Sequence, residues 1–139
     1  MKLCRLGELD KEKPAIIDKD GSYKDLSSVI PDLNPENLNF ETIEKIKKLN
    51  IKDLPTLDAN SRIGACVKNP SKFLGIGLNF KDHATEQNLP IPKEPIIFSK
   101  FTNCIVGPFD NIEVPKNSNH TDWEVEIGFV IGKKAKYVE

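Results

Sequence analysis

An excess of charge of either sign is what this sequence most plainly lacks. Lys plus Arg is 20 and Asp plus Glu is 21, a net charge of −1. The balance is also local: residues 1–69 carry 12 basic and 12 acidic side chains, and residues 70–139 carry 8 and 9. Without a basic stripe or tail, neither a nucleic acid nor an anionic membrane is expected as a partner. Long apolar runs are missing too. None exceeds four residues, whereas a bilayer span needs ~20. The opening Met1-Lys2-Leu3-Cys4-Arg5 has no signal-peptide core, so a cytoplasmic location is expected. Cysteine is scarce. Cys4, Cys66 and Cys104 are odd in number and far apart, which fits neither a disulfide framework nor a zinc site. Reduced, half-buried thiols are expected. What is present, 38% hydrophobic and 29% charged residues, suits a folded globular chain. Its 139 residues make one domain, or a small domain plus part of another.

Aromatic residues are nearly absent from the first half. Tyr23 and Phe40 stand alone before residue 70, and eight rings from Phe73 to Tyr137 follow. Large rings dominate core burial, so the main core is expected in the second half, with residues 1–69 a lighter appendage. Within it, Ala15 to Asp18 and Ser22 to Leu26 flank Asp20-Gly21, a pair suited to a tight hairpin turn. Lys2 to Leu6 alternates like a third strand. Residues 40–49 fit an amphipathic helix, with Phe40, Ile43, Ile46 and Leu49 inward and Glu41–Lys45 and Glu44–Lys48 as i,i+4 pairs. Polar Lys52 to Ser61 reads as a linker.

From residue 72 the pattern becomes strand-rich. Phe73 to Leu78, Ile96 to Phe98, Ile105-Val106, Ile112 to Val114 and Trp123 to Ile131 read as strands between Pro, Gly and Asn turns. Asn79 is placed to cap a short helix over about 80–87. The fold class expected is α+β and β-rich, divided as 1–69 and 70–139.

The strand over 123–131 carries candidate chemistry. Side chains alternate on a strand, so Trp123, Val125, Ile127, Phe129 and Ile131 share one face and Glu124, Glu126 and Gly128 the other. Two carboxylates two residues apart stand about 6.6 Å apart at the backbone and repel by roughly 2 kcal/mol at an effective dielectric of ~20. A hard divalent cation relieves that repulsion, and Mg²⁺ takes such oxygen ligands. The plainer alternative is a half-buried strand whose acids face water. A second constellation is Asn79-Phe80-Lys81-Asp82-His83-Ala84-Thr85-Glu86. On a helix His83 and Glu86 stand at i and i+3, and a carboxylate beside an imidazole orients a general base. Its bland alternative is a surface histidine with a chance acidic neighbour. Lys100 faces either an anionic ligand or solvent. Gly75-Ile76-Gly77 lacks the third glycine of a dinucleotide fingerprint, and no phosphate-binding loop exists.

Taken together, and with Phe98-Ser99-Lys100 and Val106-Gly107-Pro108 between them, these motifs closely resemble the opening of the catalytic domain of the fumarylacetoacetate hydrolase family. The resemblance runs from Lys72 to Val138, while residues 1–69 resemble the small N-terminal α/β domain of bacterial members. It implies the first part of a mixed β-sandwich roll and a bound Mg²⁺ or Mn²⁺, with Ca²⁺ the alternative. It implies metal ligands at Glu124 and Glu126, a proton-transfer pair at His83 and Glu86, and substrate contacts from Lys100 and Asn79. The substrate class implied is a 2-oxo acid or 1,3-dicarbonyl, cleaved, decarboxylated, hydrated or isomerised by a homodimer. The family's third metal ligand, an aspartate, falls beyond Glu139, so the 139 residues alone are expected to be an inactive fragment. The rival from another class is a non-catalytic cation-binding or structural module.

Overall fold

The computed structural model describes residues 1–138. Their strands and short helices make the α+β arrangement expected. They divide into two units, one of residues 1–68 with 106–138 and one of residues 69–105.

The first unit opens with three strands, β1 (Lys2–Leu6), β2 (Lys13–Ile17) and β3 (Tyr23–Asp25), paired antiparallel in that order. Ile17 faces both Lys2 and Tyr23. The β2–β3 turn is the Asp20-Gly21 turn expected. Gly21 takes φ +87°, a left-handed value that costs glycine little. The Asp20 carboxylate accepts from the Ser22 amide and hydroxyl. Helix α1 (Phe40–Lys47) follows Asn39, whose Oδ1 accepts from the Thr42 amide at 2.9 Å, one of the orphan donors a cap must satisfy. Its inward residue is Ile46, which is fully buried, whereas Phe40 is exposed. Its surface pair is Glu44–Lys47 at i,i+3. Lys45 instead reaches the Val29 carbonyl at 3.2 Å.

The core overturns the expectation drawn from the aromatics. Ile16, Leu26, Ile30, Leu33 and Ile46 form one buried cluster, and Cys4, Leu6 and Ala15 a second. All eight lie in the part read as an appendage. Burying an aliphatic side chain of this size contributes about 1.5–3 kcal/mol, so a few of them sustain a small unit without large rings. The supposed linker over 52–61 is also structural. Leu54 and Leu57 pack on these clusters. The Leu57 amide donates to the Tyr23 carbonyl and the Asp25 amide to the Pro55 carbonyl. On the other side of the sheet, Gly7 donates to Arg62 and Gly64 to Arg5. The β3 edge and the Arg5–Gly7 end of β1 are thereby paired, which shortens the template for aggregation.

The second unit contains β4 (Phe73–Gly77), α2 (Lys81–Glu86) and β5 (Ile96–Lys100). β4 and β5 pair antiparallel, Gly75 opposite Phe98. A Cβ at Gly75 would stand 2.4 Å from the Phe98 ring, so only glycine lets that ring lie across the strand. The strands read at 105–106, 112–114 and 123–131 do not form. No backbone ladder reaches these residues among those described. Alternation specifies which face a strand would bury, but a strand exists only when a neighbour takes its N–H and C=O groups.

The cysteines also differ from one another. Cys4 is buried, and Cys66 and Cys104 are exposed. Burial pushes the Cys4 thiol up to about 11, which suppresses the nucleophilic thiolate at neutral pH. In a thiol titration with an aromatic disulfide at neutral pH, two groups should react at once and the third only on addition of denaturant. Three equally fast thiols would contradict the burial of Cys4.

Candidate functional site

In the second unit the chain turns from β4 into α2 through Gly77-Leu78-Asn79. Leu78 takes φ +48°, a left-handed value uncommon for a residue with a branched side chain. The expected Asn79 cap does not form. Phe80 is the N-cap and makes no side-chain cap bond. Released from that duty, Asn79 lines an open cavity of about 410 Å³ between this corner and the segment Ile91 to Pro95. Lys93 and Glu94 line it too, two charged residues that sequence reading missed. The only available signal was the rigidity of the surrounding prolines. Helix α2 ends where Asn88 takes φ +53° and the Leu89 amide donates to the Ala84 carbonyl.

His83 is half-buried on α2, beside the buried Ala84, and Glu86 is exposed one turn later. No hydrogen bond or ion pair links the two among the described residues. Lys100 closes β5 opposite Phe73. Its ammonium stands 5.9 Å from the Phe73 ring centroid and 5.8 Å from that of Phe98, within the range of cation–π attraction. The aromatic platform steers the lysine while leaving its N–H donors available.

Glu124 and Glu126 belong to the first unit. Both are exposed, on a stretch without regular secondary structure or a ladder partner. A Cβ at Gly128 would meet nothing within 4 Å, so space beside the carboxylates is open. Carboxylate oxygens suit Mg²⁺, Mn²⁺ or Ca²⁺. The donor set therefore matches such an ion in kind, though not in number. Among the described residues no three His, Cys, Asp or Glu side chains converge as a metal would require.

The strongest electrostatic feature of the first unit is one that no motif announced. Arg5 is buried on β1 at 3% exposure. It donates from Nε and Nη2 to Asp32 at 2.7 and 3.1 Å, and from Nη2 to Glu12 at 3.1 Å. Lys68 reaches Asp32 at 3.3 Å, and Arg62 joins Glu12 at 2.7 Å to Asp110. The result is a chain of alternating charge, Lys68–Asp32–Arg5–Glu12–Arg62–Asp110. Burial opposes the charged form of Glu12. The Arg62 hydrogen bond and the two guanidinium charges outweigh it and hold the carboxyl below the ordinary range. Asp32 follows the same logic, with Arg5 and the Leu33 amide overcoming burial. The Arg62 hydrogen bond, with the Gly107 amide, lowers Asp110. That bond from Gly107 is 2.7 Å long. A Cβ at Gly107 would stand 2.2 Å from the Ile63 carbonyl, so the Val-Gly-Pro turn requires its glycine. Apart from Arg5 and Glu12, seven residues apart, the hydrogen-bonded partners lie 27 to 50 residues apart in sequence, which is why periodicity did not reveal them.

Residues 72–139 match the family model described as fumarylacetoacetate (FAA) hydrolase, C-terminal. A "Putative hydrolase" of Burkholderia lata and another of Burkholderia ambifaria are each 48% identical over all 139 residues, which make up 49% of their length. The chain thus spans about half the length of the curated relatives it matches. Among solved structures, that of "a putative HpcE protein from Mycobacterium smegmatis" superposes with a TM-score of 0.60 at 25% identity, over 84% of this chain and 41% of that one.

Proposed function

Through residues 72–139 the chain belongs to the fumarylacetoacetate hydrolase family, and on that premise we propose that it contributes to a divalent-metal-dependent enzyme acting on a 2-oxo acid or 1,3-dicarbonyl. The observation that carries the reading is one of placement. Asn79, His83, Glu86, Lys100, Glu124 and Glu126 all fall inside the matched segment.

Glu124 and Glu126 would hold the Mg²⁺ or Mn²⁺, together with a further protein donor, in a homodimeric cytoplasmic enzyme. When bound, the ion supplies Lewis acidity toward the substrate's paired oxygens, the kind of charge stabilisation that favours an enolate. His83 moves the proton. It takes it from an attacking water in C–C hydrolysis, or from or to carbon in isomerisation or decarboxylation. Its half-buried position keeps the imidazole near substrate while limiting its hydration. Glu86 orients it by turning toward it on the same helix face. Lys100, held between two rings, offers its ammonium to the substrate carboxylate. The Asn79 amide meets a substrate oxygen at the mouth of the cavity it lines.

The test is turnover of a panel of 2-oxo acids and 1,3-dicarbonyls by a polypeptide of the relatives' full length carrying these residues. Activity should depend on Mg²⁺ or Mn²⁺ and vanish with chelator. His83→Ala should lower kcat by about a hundredfold or more, the usual contribution of a positioned general base. Ion binding without turnover would leave the non-catalytic module as the better reading. Chelator-resistant turnover would remove the metal.

A further inference from the structure

The charge chain from Lys68 to Asp110 ends where the polypeptide changes units. The backbone leaves the first unit after Lys68 and returns to it at Val106. At the exit, the Lys68 amide donates to the Leu33 carbonyl at 2.8 Å and its ammonium meets Asp32 at 3.3 Å. Leu33 belongs to the buried core, and Asp32 is held by Arg5. At the return, Arg62 grips Asp110 with two hydrogen bonds, of 2.7 and 2.5 Å. Asp110 also accepts from the Gly107 amide, and Gly107 is buried against the Ile63 carbonyl. Exit and return are therefore fastened to one framework, with Arg5 and Glu12 between them.

We propose that Arg62 is a positioning residue: through Asp110 it fixes the return of the polypeptide to the framework that also holds its exit, and so sets both ends of the segment between. That segment carries Asn79, His83, Glu86 and Lys100, and Lys100 stands shortly before the return. The catalytic consequence rests on the proposed function; the clasp itself does not. Two observations favour placement over stability as its role. The Arg62 and Asp110 side chains remain 27% and 21% exposed, a setting in which an ion pair adds little to stability. A two-bond fork, by contrast, specifies direction as well as distance. The second observation is the seat of the turn. Gly107 has no room for a side chain beside the Ile63 carbonyl, so the turn meets the first unit at close quarters and in one way.

Two native thiols report on the clasp without reference to activity. Cys66 stands beside the exit and Cys104 beside the return; both are exposed, while Cys4 is buried. Nitroxide labels on Cys66 and Cys104 of the 139-residue chain, read by dipolar electron spin resonance, should give one narrow distance distribution. Asp110→Ala removes the clasp, leaves Arg62 its bond to Glu12, and should broaden that distribution. Asp110→Glu, which keeps a carboxylate, should restore most of the narrowness. In a polypeptide of the relatives' length, Asp110→Ala should lower kcat/KM toward 2-oxo acids by about tenfold, since a small misplacement of reacting groups is costly in rate. The rates are compared where urea unfolding shows the variant folded, because a pair that only added stability would leave the folded enzyme's rate unchanged. A distribution already broad in the native chain, or equally narrow without Asp110, overturns the proposal. So does an unchanged kcat/KM beside a broadened distribution. Absence of turnover in the native polypeptide would instead refute the proposed function, and the distance measurement alone would then decide the clasp.

Discussion

Arg5→Ala should destabilise the chain by about 3–5 kcal/mol, the range found when one partner of a buried ion pair is removed. Arg5 serves Asp32 twice, Glu12 once and the Ala65 carbonyl at 3.3 Å. Deleting its guanidinium strands two carboxylates whose side chains are 10% and 4% exposed. Lys68 and Arg62 compensate only in part, from the far ends of the charge chain. Arg5→Lys should recover less than half of the loss, because an ammonium cannot reproduce the planar fork that grips Asp32. The pH dependence gives a second readout. In the native protein both carboxyls sit below their ordinary range, so on acidification the unfolded chain binds protons first. Their stabilising contribution is complete above the unfolded carboxyl range, ~3.9–4.3, and is lost as the pH falls through the lower native values. In Arg5→Ala, uncompensated burial instead favours the protonated acids. The gap between native and variant should therefore narrow between about pH 7 and pH 4, measured by urea unfolding. A gap that stays constant over that range would mean the charges are not what Arg5 stabilises.

The second large effect falls on activity. In a polypeptide of the relatives' length, the pair Glu124→Ala and Glu126→Ala should reduce turnover by about a thousandfold, equivalent to the several kcal/mol that a bound Lewis acid supplies. Mn²⁺ affinity should fall with it. Fold stability should change by no more than about 0.5 kcal/mol, since both side chains are exposed and surface substitutions away from special features are close to neutral. That separation distinguishes a ligand role from a structural one. Single Glu→Gln variants should lie between, each keeping one carboxylate and one neutral oxygen donor. Normal rates in the double variant would remove these two acids from the site.

The glycine at Gly107 illustrates how sequence and structure divide the account. The Val-Gly-Pro turn was visible as a motif. The reason for its glycine was not, because it is the Ile63 carbonyl, forty-four positions earlier, that leaves no room for a Cβ. The Asn79 motif was likewise legible and its role was not. The residue lines a cavity, and Phe80 stands at the helix start in its place.

What the chain's own order of residues made legible was local: the strands of the first unit with their Gly21 turn, the inward Ile46 of α1, the segments that become β4 and β5, and the motifs that resemble the family. Where the core lies, which strands materialise and how the charges pair were decided only in three dimensions. The physical reason is that burial and hydrogen bonding belong to pairs of surfaces. Small aliphatic residues within 1–68 found partners in one another, whereas the apolar stripe from Trp123 to Ile131 has none among the described residues and stays in water.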